Sequence, residues 1–534
     1  MAGSTPATAT KAKKMVTCID ITMWQKIFPF RIRLSSLLRS SLAVLFTLQF
    51  VSCKDYESPA CSNDDDETGN RVDAIFFQET DVELIDPDDY AGNIIGRWRS
   101  FAEEMSISKY EALYNPLLKV LKEAITLSKT KVVSKLDRQF EAEAGLPKQT
   151  GHSWQIESRF FNYRSKSARG EDVVLSGRVT FPNHKTKGVG HKVKAMMIYM
   201  RGAPQVRKEN SERLSSDVQI QRVFFDEAII EPDGQGLGAN LDKDYYCSAS
   251  PNALARQMAD CTLAALEVMQ RHGVTLAADG HTICVGQSLG GAVPLAFAKC
   301  YETEVTPSFR EKVKLSAVYS GNGPLDFGAT FRHFSEHPEC NAMLSKTLLF
   351  SLAALSREQM YGYRAQDFVN PKLLNTQVEY NGRTISYFDA EARYFINVLG
   401  TNKEVPNPTK LSEIVAPDLL GRDGKLDGTN PKTQTLMRIL DEQGTLSGWL
   451  PTIPIYIMHG AEDDGIPVVQ ARKCYNELSN LGGNPNVHYK EIDIPFAVLS
   501  LGKLVGICTG HMYGSLFFQN MMFNYEDVSV LWEK

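Results

Sequence analysis

Short apolar runs alternate with amphipathic stretches along most of the chain, and this alternation is its strongest pattern. Between the second and third apolar runs, apolar residues recur at helical spacing from Ser250 to Gly273. Strand and helix segments in alternation predict an α/β fold, with a doubly wound, mostly parallel sheet and helices on both faces. The predicted strands cover residues 193–200, 223–231, 283–286, 313–320, 453–458 and 487–494.

The predicted sheet domain is divided into two parts along the chain, residues 151–326 and 451–534. Its first part opens with two extended segments, Trp154 to Tyr163 and Val173 to Phe181, which are separated by a polar turn. This pattern is typical of a β-hairpin. We therefore expect antiparallel strands to precede the parallel ones.

Two other regions flank or interrupt the sheet domain. Residues 74–150 show mainly helical spacing, so the pattern predicts a helical N-terminal extension. Residues 327–450 interrupt the alternation and predict a helical cap inserted over the sheet. Helical segments are expected in this insertion at 341–357, 389–399 and 432–442.

Composition narrows the function classes. The 534-residue chain is 43% hydrophobic and 23% charged, which supplies enough apolar side chains for a large core. Its net charge is −5 and no basic stripe occurs, which argues against nucleic-acid binding. No CxxC or Cys/His ligand spacing occurs, so we predict no metal site.

The cysteines predict mainly buried thiols. Cys284 lies in an apolar run, and Cys261 and Cys300 lie in helical patterns, where a free thiol behaves as a small apolar side chain. A disulfide at Cys247 or Cys340 stays open at this point, because the N-terminus resembles an export signal.

That N-terminal pattern covers residues 1–53. Basic side chains occur throughout 1–39, and an apolar run from Leu42 to Val51 ends at Cys53. The run is too short to span a membrane and resembles a bacterial lipoprotein signal. The resemblance implies lipidation of Cys53 and an outer-membrane or cell-surface protein attached through its lipid alone. The polar and acidic composition of residues 54–73 predicts a flexible linker. A cleaved secretory peptide, giving a periplasmic or secreted protein, is the alternative.

One short motif carries the predicted chemistry. Gly286-Gln287-Ser288-Leu289-Gly290-Gly291 follows an apolar strand and precedes a helical segment. A serine on such a tight strand-to-helix turn is exposed, because glycine at 286 and 290 removes side chains that would collide. The motif and its context resemble the α/β-hydrolase superfamily.

In that superfamily the serine is followed along the chain by an acid and then by a histidine. The segment Ile455 to Pro467 (IYIMHGAEDDGIP) resembles the family's acid loop and implies Asp463 as the acid, with Glu462 and Asp464 as its nearest rivals. His511, at the start of the last predicted helix, fits the base. His459 is expected to be structural. A solvated or core-satisfied imidazole is expected for the other eight, His152, His184, His191, His272, His281, His333, His337 and His488.

The resemblance also implies an oxyanion hole. Its first donor is the backbone N–H of Leu289, directly after the nucleophile. The second is expected from Arg201-Gly202-Ala203-Pro204, where Ala203 is the first choice and Gly202 the second. Arg201 departs from the family's usual histidine. It is predicted to read a carboxylate or phosphate, or else to form a structural ion pair.

Two further segments, Glu231 to Gly238 and Ser320 to Asp326, resemble secreted lipase-like and prolyl-oligopeptidase-like hydrolases. The resemblance implies a serine hydrolase that forms an acyl-enzyme on a small-molecule ester or lipid, without a cofactor. A prolyl-oligopeptidase-like peptidase is the alternative, although no propeller-sized domain precedes the core. A noncatalytic surface binding protein with the same fold is a third possibility. The oligomeric state is left open.

Overall fold

The structure is a computed structural model. It describes residues 75–89, 135–145, 151–202, 218–337, 343–356, 358–380, 382–395, 408, 410–444, 446, 448–494, 509–524, 528–529 and 532. Cys53, Ala203 and Cys340 lie outside this range, as does most of the predicted N-terminal extension.

A nine-stranded mixed sheet forms the centre of the molecule. Its spatial order is β1-β2-β3-β5-β4-β6-β7-β10-β11, and a separate two-stranded sheet contains β8 and β9. The strands are β1 Phe76–Ile85, β2 Trp154–Lys166, β3 Asp172–His184, β4 His191–Met200, β5 Glu227–Pro232, β6 Val274–Gln287, β7 Leu315–Gly321, β8 Gln377–Tyr380, β9 Arg383–Ser386, β10 Ile455–Gly460 and β11 Val487–Ile492.

Six neighbouring strands, from β5 to β11 in the spatial order, pair in parallel, whereas β1, β2 and β3 pair antiparallel. In the parallel part, Met200 lies opposite Gly286, and Gln287 lies opposite Gly321. The carboxyl ends of β4, β6 and β7 therefore meet at one edge of the sheet. Ligands of open α/β sheets bind at this edge.

Helices cover both faces of the sheet. They are α1 135–144, α2 Pro251–Arg271, α3 Ala292–Thr303, α4 Pro307–Val313, α5 Phe327–Glu336, α6 Met343–Ser351, α7 Glu358–Tyr361, α8 Pro371–Asn375, α9 Tyr387–Tyr394, α10 Leu411–Ile414, α11 Pro431–Gly444, α12 Val468–Leu478 and α13 Thr509–Asn524. Short 3₁₀ helices lie at Val218–Phe225, Gly238–Asn240, Ser288–Gly291, Leu352–Leu355, Ala365–Phe368 and Pro417–Leu419.

The core lies in layers on the two faces. On one face, buried residues of α2 and α3 pack against Ile198 and Val318 of the sheet. On the other, Phe140 of α1 and Met522 of α13 belong to the same apolar cluster as Met197. Successive residues of a strand thus pack into the cores on opposite faces of the sheet, as a doubly wound sheet requires.

The predicted helical extension is wrong in one described part. Residues Phe76–Ile85 form β1, an edge strand that pairs antiparallel with β2. Only Phe76 and Ile85 of this strand are buried. The strand therefore needs no alternation of apolar and polar residues along its whole length, and the sequence pattern does not reveal it. Pairing with β2 decides its structure, whereas residues 135–144 are helical as expected.

The insertion after β7 is mainly helical and contains α5 to α11. Its helices α6, α9 and α11 fall within or beside the three predicted segments. The β8–β9 hairpin is short and largely exposed, and no alternating apolar pattern predicts it. Because β7 ends at the edge described above, the insertion leaves the sheet at that edge.

Five described cysteines are buried free thiols: Cys247, Cys261, Cys284, Cys300 and Cys474. This confirms the prediction for the three that lie in apolar or helical patterns, and Cys247 forms no disulfide. Within the part of the chain that the structure describes, no helix combines the length and apolarity needed to cross a membrane.

Candidate active site

Ser288 stands at the turn between β6 and α3, as the sequence motif predicts. Its φ of 51° lies in the left-handed region, which is uncommon for any residue other than glycine. A Cβ at Gly286 would collide with the carbonyl oxygen of Gly290, and a Cβ at Gly290 would collide with the carbonyl oxygen of Arg201. The two glycines therefore permit the tight turn that presents the serine hydroxyl.

His511 lies beside this hydroxyl at the start of α13. Its Nε2 atom is 2.7 Å from Ser288 Oγ, and its Nδ1 atom is 2.8 Å from Asp463 Oδ2. With the ring proton on Nδ1, His511 donates to Asp463 and its Nε2 accepts from the serine hydroxyl. The structure thus brings Ser288, His511 and Asp463 into one hydrogen-bonded chain.

Asp463 lies in the turn after β10, and its side chain is fully buried. Its Oδ1 accepts hydrogen bonds from the backbone N–H groups of Gly465 and Ile466, at 2.9 and 2.7 Å. Burial would raise the pKa of this carboxyl, but the charge and hydrogen bond of His511 outweigh it and hold the pKa below its usual value. The carboxylate is therefore fixed in its ionised form.

The pKa of His511 shifts in the opposite direction to that of Asp463. Burial would lower the pKa of His511, whereas the adjacent Asp463 carboxylate stabilises the imidazolium, and the net result is a raised pKa. Asp464 contributes in the same direction. A neutral imidazole beside a serine hydroxyl accepts its proton, and the buried carboxylate then stabilises the resulting charge.

The two rival carboxylates have other positions. Asp464 Oδ1 accepts a hydrogen bond from the backbone N–H of His511 at 3.0 Å, so this contact is to the main chain of the base. Glu462 Oε2 accepts from the backbone N–H of Ile494 at 3.2 Å. Each of the three consecutive acids therefore contacts a different group, and Asp463 is the one hydrogen-bonded to the imidazole nitrogen Nδ1.

His459 is buried below the acid turn. Its Nε2 donates to the backbone carbonyl of Ile466 at 2.9 Å, and the same nitrogen lies 3.6 Å from Asp463 Oδ2. Asn322, at the end of β7, accepts from the backbone N–H of Gly460 at 2.8 Å. These two side chains connect the acid turn to its neighbours. The role of Asn322 went unnoticed in the sequence because the contact spans 138 residues.

The predicted oxyanion donors are described in part. Leu289 is buried and follows Ser288 within a 3₁₀ turn, where the first backbone N–H groups have no partner inside the helix. Gly202 lies against the nucleophile, since a Cβ built there would stand 2.9 Å from Ser288 Cβ. Ala203 lies outside the described residues. Gly202, the second residue after β4, therefore adjoins the serine.

Arg201 forms an ion pair, one of the two alternatives that the sequence left open. Its Nε donates to Glu231 Oε1 at 3.1 Å, and Arg178 donates to the other oxygen of the same buried carboxylate. Glu231 thereby links the residue before Gly202 to the adjacent strands. A serine, a base, an acid and an adjoining loop together are the parts that acyl transfer requires.

Of the comparisons with known proteins, the one with solved structures found similar folds. No protein-family model and no curated protein matches the sequence, but solved structures do. The rice cell wall degrading esterase LipA from Xanthomonas oryzae matches with a TM-score of 0.50 at 16% identity, covering 74% of this chain and 94% of that chain. A point variant of LipA gives 0.51 at 16% identity, with 74% and 93% covered. Candida antarctica lipase A gives 0.44 at 15% identity, with 69% and 78% covered.

At these identities the similarity concerns the fold alone. The central sheet is mostly parallel, helices cover both faces, and the LipA structures cover three quarters of the chain. The chain has the α/β-hydrolase fold, which confirms the predicted fold class.

Proposed function

We propose that this protein is a serine hydrolase that cleaves carboxylic esters through an acyl-enzyme. The single observation that carries the proposal is the chain of two hydrogen bonds, 2.7 Å from Ser288 to His511 and 2.8 Å from His511 to Asp463. A serine hydroxyl is a weak nucleophile near neutral pH, and a histidine base within hydrogen-bond reach activates it. Three side chains from distant parts of the sequence meet here in the required order.

In the proposed mechanism, Ser288 Oγ attacks the ester carbonyl carbon while its proton moves to His511 Nε2. Asp463 stabilises the imidazolium, and the backbone N–H groups of Leu289 and of Gly202 or Ala203 bind the oxyanion. His511 then gives its proton to the leaving alcohol oxygen as the carbon–oxygen bond breaks. Water then attacks the acyl carbon while His511 takes its proton, and His511 returns that proton to Ser288 Oγ as the acyl carbon–Oγ bond breaks and the carboxylic acid leaves.

Two arguments support an ester as the substrate. The LipA structures with the same fold are those of an esterase, and the insertion 327–450 leaves the sheet at the edge that holds Ser288. An insertion there can supply an apolar wall for an acyl chain. A panel of p-nitrophenyl esters of increasing chain length, measured beside dipeptide and prolyl amides, tests this choice. Faster cleavage of the amides would replace the ester by a peptide as the substrate.

Labelling with a fluorophosphonate probe tests the nucleophile directly. We expect stoichiometric labelling of Ser288, and none in Ser288→Ala. The same variant should lower kcat on p-nitrophenyl esters by several orders of magnitude, leaving roughly 10³ to 10⁴ over water. A normal rate in Ser288→Ala would refute the mechanism. An unlabelled native chain would favour the noncatalytic binding protein.

We also propose that the protein is exported and anchored through a lipid on Cys53. The support is the basic stretch, short apolar run and Ser52-Cys53 junction at the N-terminus. Expression with a radiolabelled fatty acid should label the wild type and leave Cys53→Ala unlabelled. Equal incorporation in both, or none in the wild type, would leave a cleaved secretory peptide as the better assignment.

A further inference from the structure

A second cluster of ionisable side chains lies at the opposite end of β4 from Ser288. Glu143 of α1, His184 of β3 and His191 of β4 place one ligand atom each within 4.8 Å of the other two. His191 begins β4 and Met200 ends it, so about 30 Å of strand separates this cluster from the loop beside the nucleophile. The cluster is therefore independent of the proposed active site.

The three groups converge on one carboxylate oxygen. Glu143 Oε2 lies 3.2 Å from His184 Nε2 and 2.8 Å from His191 Nδ1. Two metal–ligand bonds of about 2.05 Å at a tetrahedral angle place their ligand atoms roughly 3.3 Å apart. For these atoms to share one zinc ion, the shorter of the two separations has to widen by about half an ångström, and the two imidazole nitrogens, which lie within 4.8 Å of each other, have to stand about 3.3 Å apart.

The burial of the cluster suits a metal site with an open position. The side chains of His184 and His191 are 1% and 0% exposed, whereas that of Glu143 is 30% exposed. The imidazoles are thus held inside the protein, with Phe140 of the same helix packed on the His191 ring. The carboxylate forms the side that faces solvent, where an ion enters and a water completes its coordination.

A fourth group occupies the position of an outer-shell partner. Asp226 Oδ1 lies 2.6 Å from His191 Nε2, the ring nitrogen that does not face Glu143. Histidine ligands of metals commonly donate this second N–H to a carboxylate, which fixes the ring's tautomer and orientation. Gln139 bridges both acids, since its Nε2 donates to Glu143 Oε1 and to Asp226 Oδ2 at 3.3 and 3.1 Å.

The charges of the cluster are compatible with a divalent ion. The cluster combines two carboxylates with two imidazoles, and the side chain that bridges the acids, Gln139, is uncharged. A divalent ion neutralises both carboxylates while both imidazoles stay neutral. A donor set of two imidazole nitrogens and one carboxylate oxygen suits zinc and its neighbours in the first transition row, and not magnesium or calcium.

We propose that Glu143, His184 and His191 bind one zinc ion, with Asp226 orienting His191. Binding of the ion releases the proton between His191 Nδ1 and Glu143 to solvent and requires the His184 proton to lie on Nδ1, while His191 keeps its Nε2–H for Asp226. The ion joins α1 to β3 and β4, so it fastens the N-terminal segment to the sheet. The proposal differs from the expectation of no metal site, which rested on ligand spacing along the chain. The three ligands come from three separate elements, and no spacing rule detects them.

Zinc titration of the full chain tests the proposal. After EDTA treatment and desalting, we expect one zinc ion per chain by mass spectrometry. Glu143→Gln should weaken zinc binding at least tenfold, and Asp226→Asn 10- to 100-fold. The matched control is Glu79→Gln, which alters another glutamate that lies 2.9 Å from a histidine, His272, and is 25% exposed. Its zinc affinity should equal that of the wild type.

Zinc K-edge absorption on the wild type gives a readout that needs no variant. It should show a shell of two imidazole nitrogens with oxygen, and circular dichroism should show that Glu143→Gln is folded. A chain without stoichiometric zinc, a sulfur-containing shell, or equal zinc affinity in Glu143→Gln and Glu79→Gln would each overturn the proposal. His191 would then be a protonated bridge between two carboxylates.

Discussion

The backbone N–H of His511 donates to Asp464 Oδ1 at 3.0 Å, while the ring of the same histidine contacts the neighbouring Asp463 at 2.8 Å. Consecutive carboxylates thus hold one histidine at two places. Only the contact to the ring fixes the tautomer that leaves Nε2 free to accept the serine proton.

The two carboxylates should therefore differ in their effect on catalysis. Asp463→Asn should lower kcat on p-nitrophenyl esters by about 10⁴, because an amide can hold the wrong tautomer. Asp464→Asn should lower it by roughly tenfold, because it loosens the base without changing its proton. Steady-state kinetics of the two variants provide the comparison. An equal loss in both would mean that Asp464 shares the role of the acid.

The activity should require a higher pH than an ordinary histidine base does. His511 acts when it is neutral, and its pKa is raised above 6.5 because the carboxylates outweigh the effect of burial. Activity should therefore fall with decreasing pH at a midpoint above 6.5, as measured by the pH profile of kcat/KM. Asp464→Asn should move this midpoint to lower pH. A midpoint below 6.5 in the wild type would contradict the assignment of the base.

Gly202 should tolerate no side chain. A Cβ at this position would stand 2.9 Å from Ser288 Cβ and 3.6 Å from Ser288 Oγ, so Gly202→Ala should displace the loop beside the nucleophile. The loss of an oxyanion donor costs about 10² to 10³ in kcat. The control is Gly428→Ala, since a Cβ there meets nothing within 4 Å. Equal kcat values in the two variants would remove the loop from the oxyanion hole.

The insertion contains a buried ion pair on which its stability should depend. Lys346 Nζ lies 3.6 Å from Glu391 Oε1 and 3.0 Å from the Tyr387 hydroxyl, and the two charged side chains are 0% and 2% exposed. Lys346→Met should destabilise the protein by about 3–5 kcal/mol, because it leaves a buried charge without its partner. Urea unfolding measures this change.

Two further variants make that measurement specific. Adding Glu391→Gln to Lys346→Met should recover part of the lost free energy of unfolding, because the uncompensated charge is gone. Arg438→Met, which removes an exposed ion pair with Glu442 on α11, should cost less than about 1 kcal/mol. A cost in Lys346→Met no greater than in Arg438→Met would show that the buried pair contributes little.

Local sequence was sufficient to predict a structural feature where one segment of the chain contains all the residues that define it. The turn at Ser288 was recognisable because its glycines, its strand and its helix are adjacent in the chain. The same holds for the acid loop and for most of the sheet strands. Pairing and partners at long range were not recognisable: β1 is a strand through its contact with β2, and Asn322 reaches Gly460 across 138 residues.

The cluster of Glu143, His184 and His191 also lies beyond what local sequence can predict. His184 and His191 were expected to be solvated or satisfied by the core, and nothing in their own segments relates them to Glu143. Their proximity follows from the docking of α1 against the ends of β3 and β4, which is a result of tertiary packing. Glu462, Asp463 and Asp464 pose a related problem, because three adjacent acids are separable only by the direction of each side chain.

The φ of 51° at Ser288 places the reactive alcohol in a conformation that costs an L-residue roughly 1–2 kcal/mol and costs glycine little. Selection of random variants for heat tolerance alone would therefore reward loss of the nucleophile at this position. Directed evolution of a more heat-stable form of this protein therefore has to measure turnover in each round, because thermal stability and catalysis favour different residues at position 288.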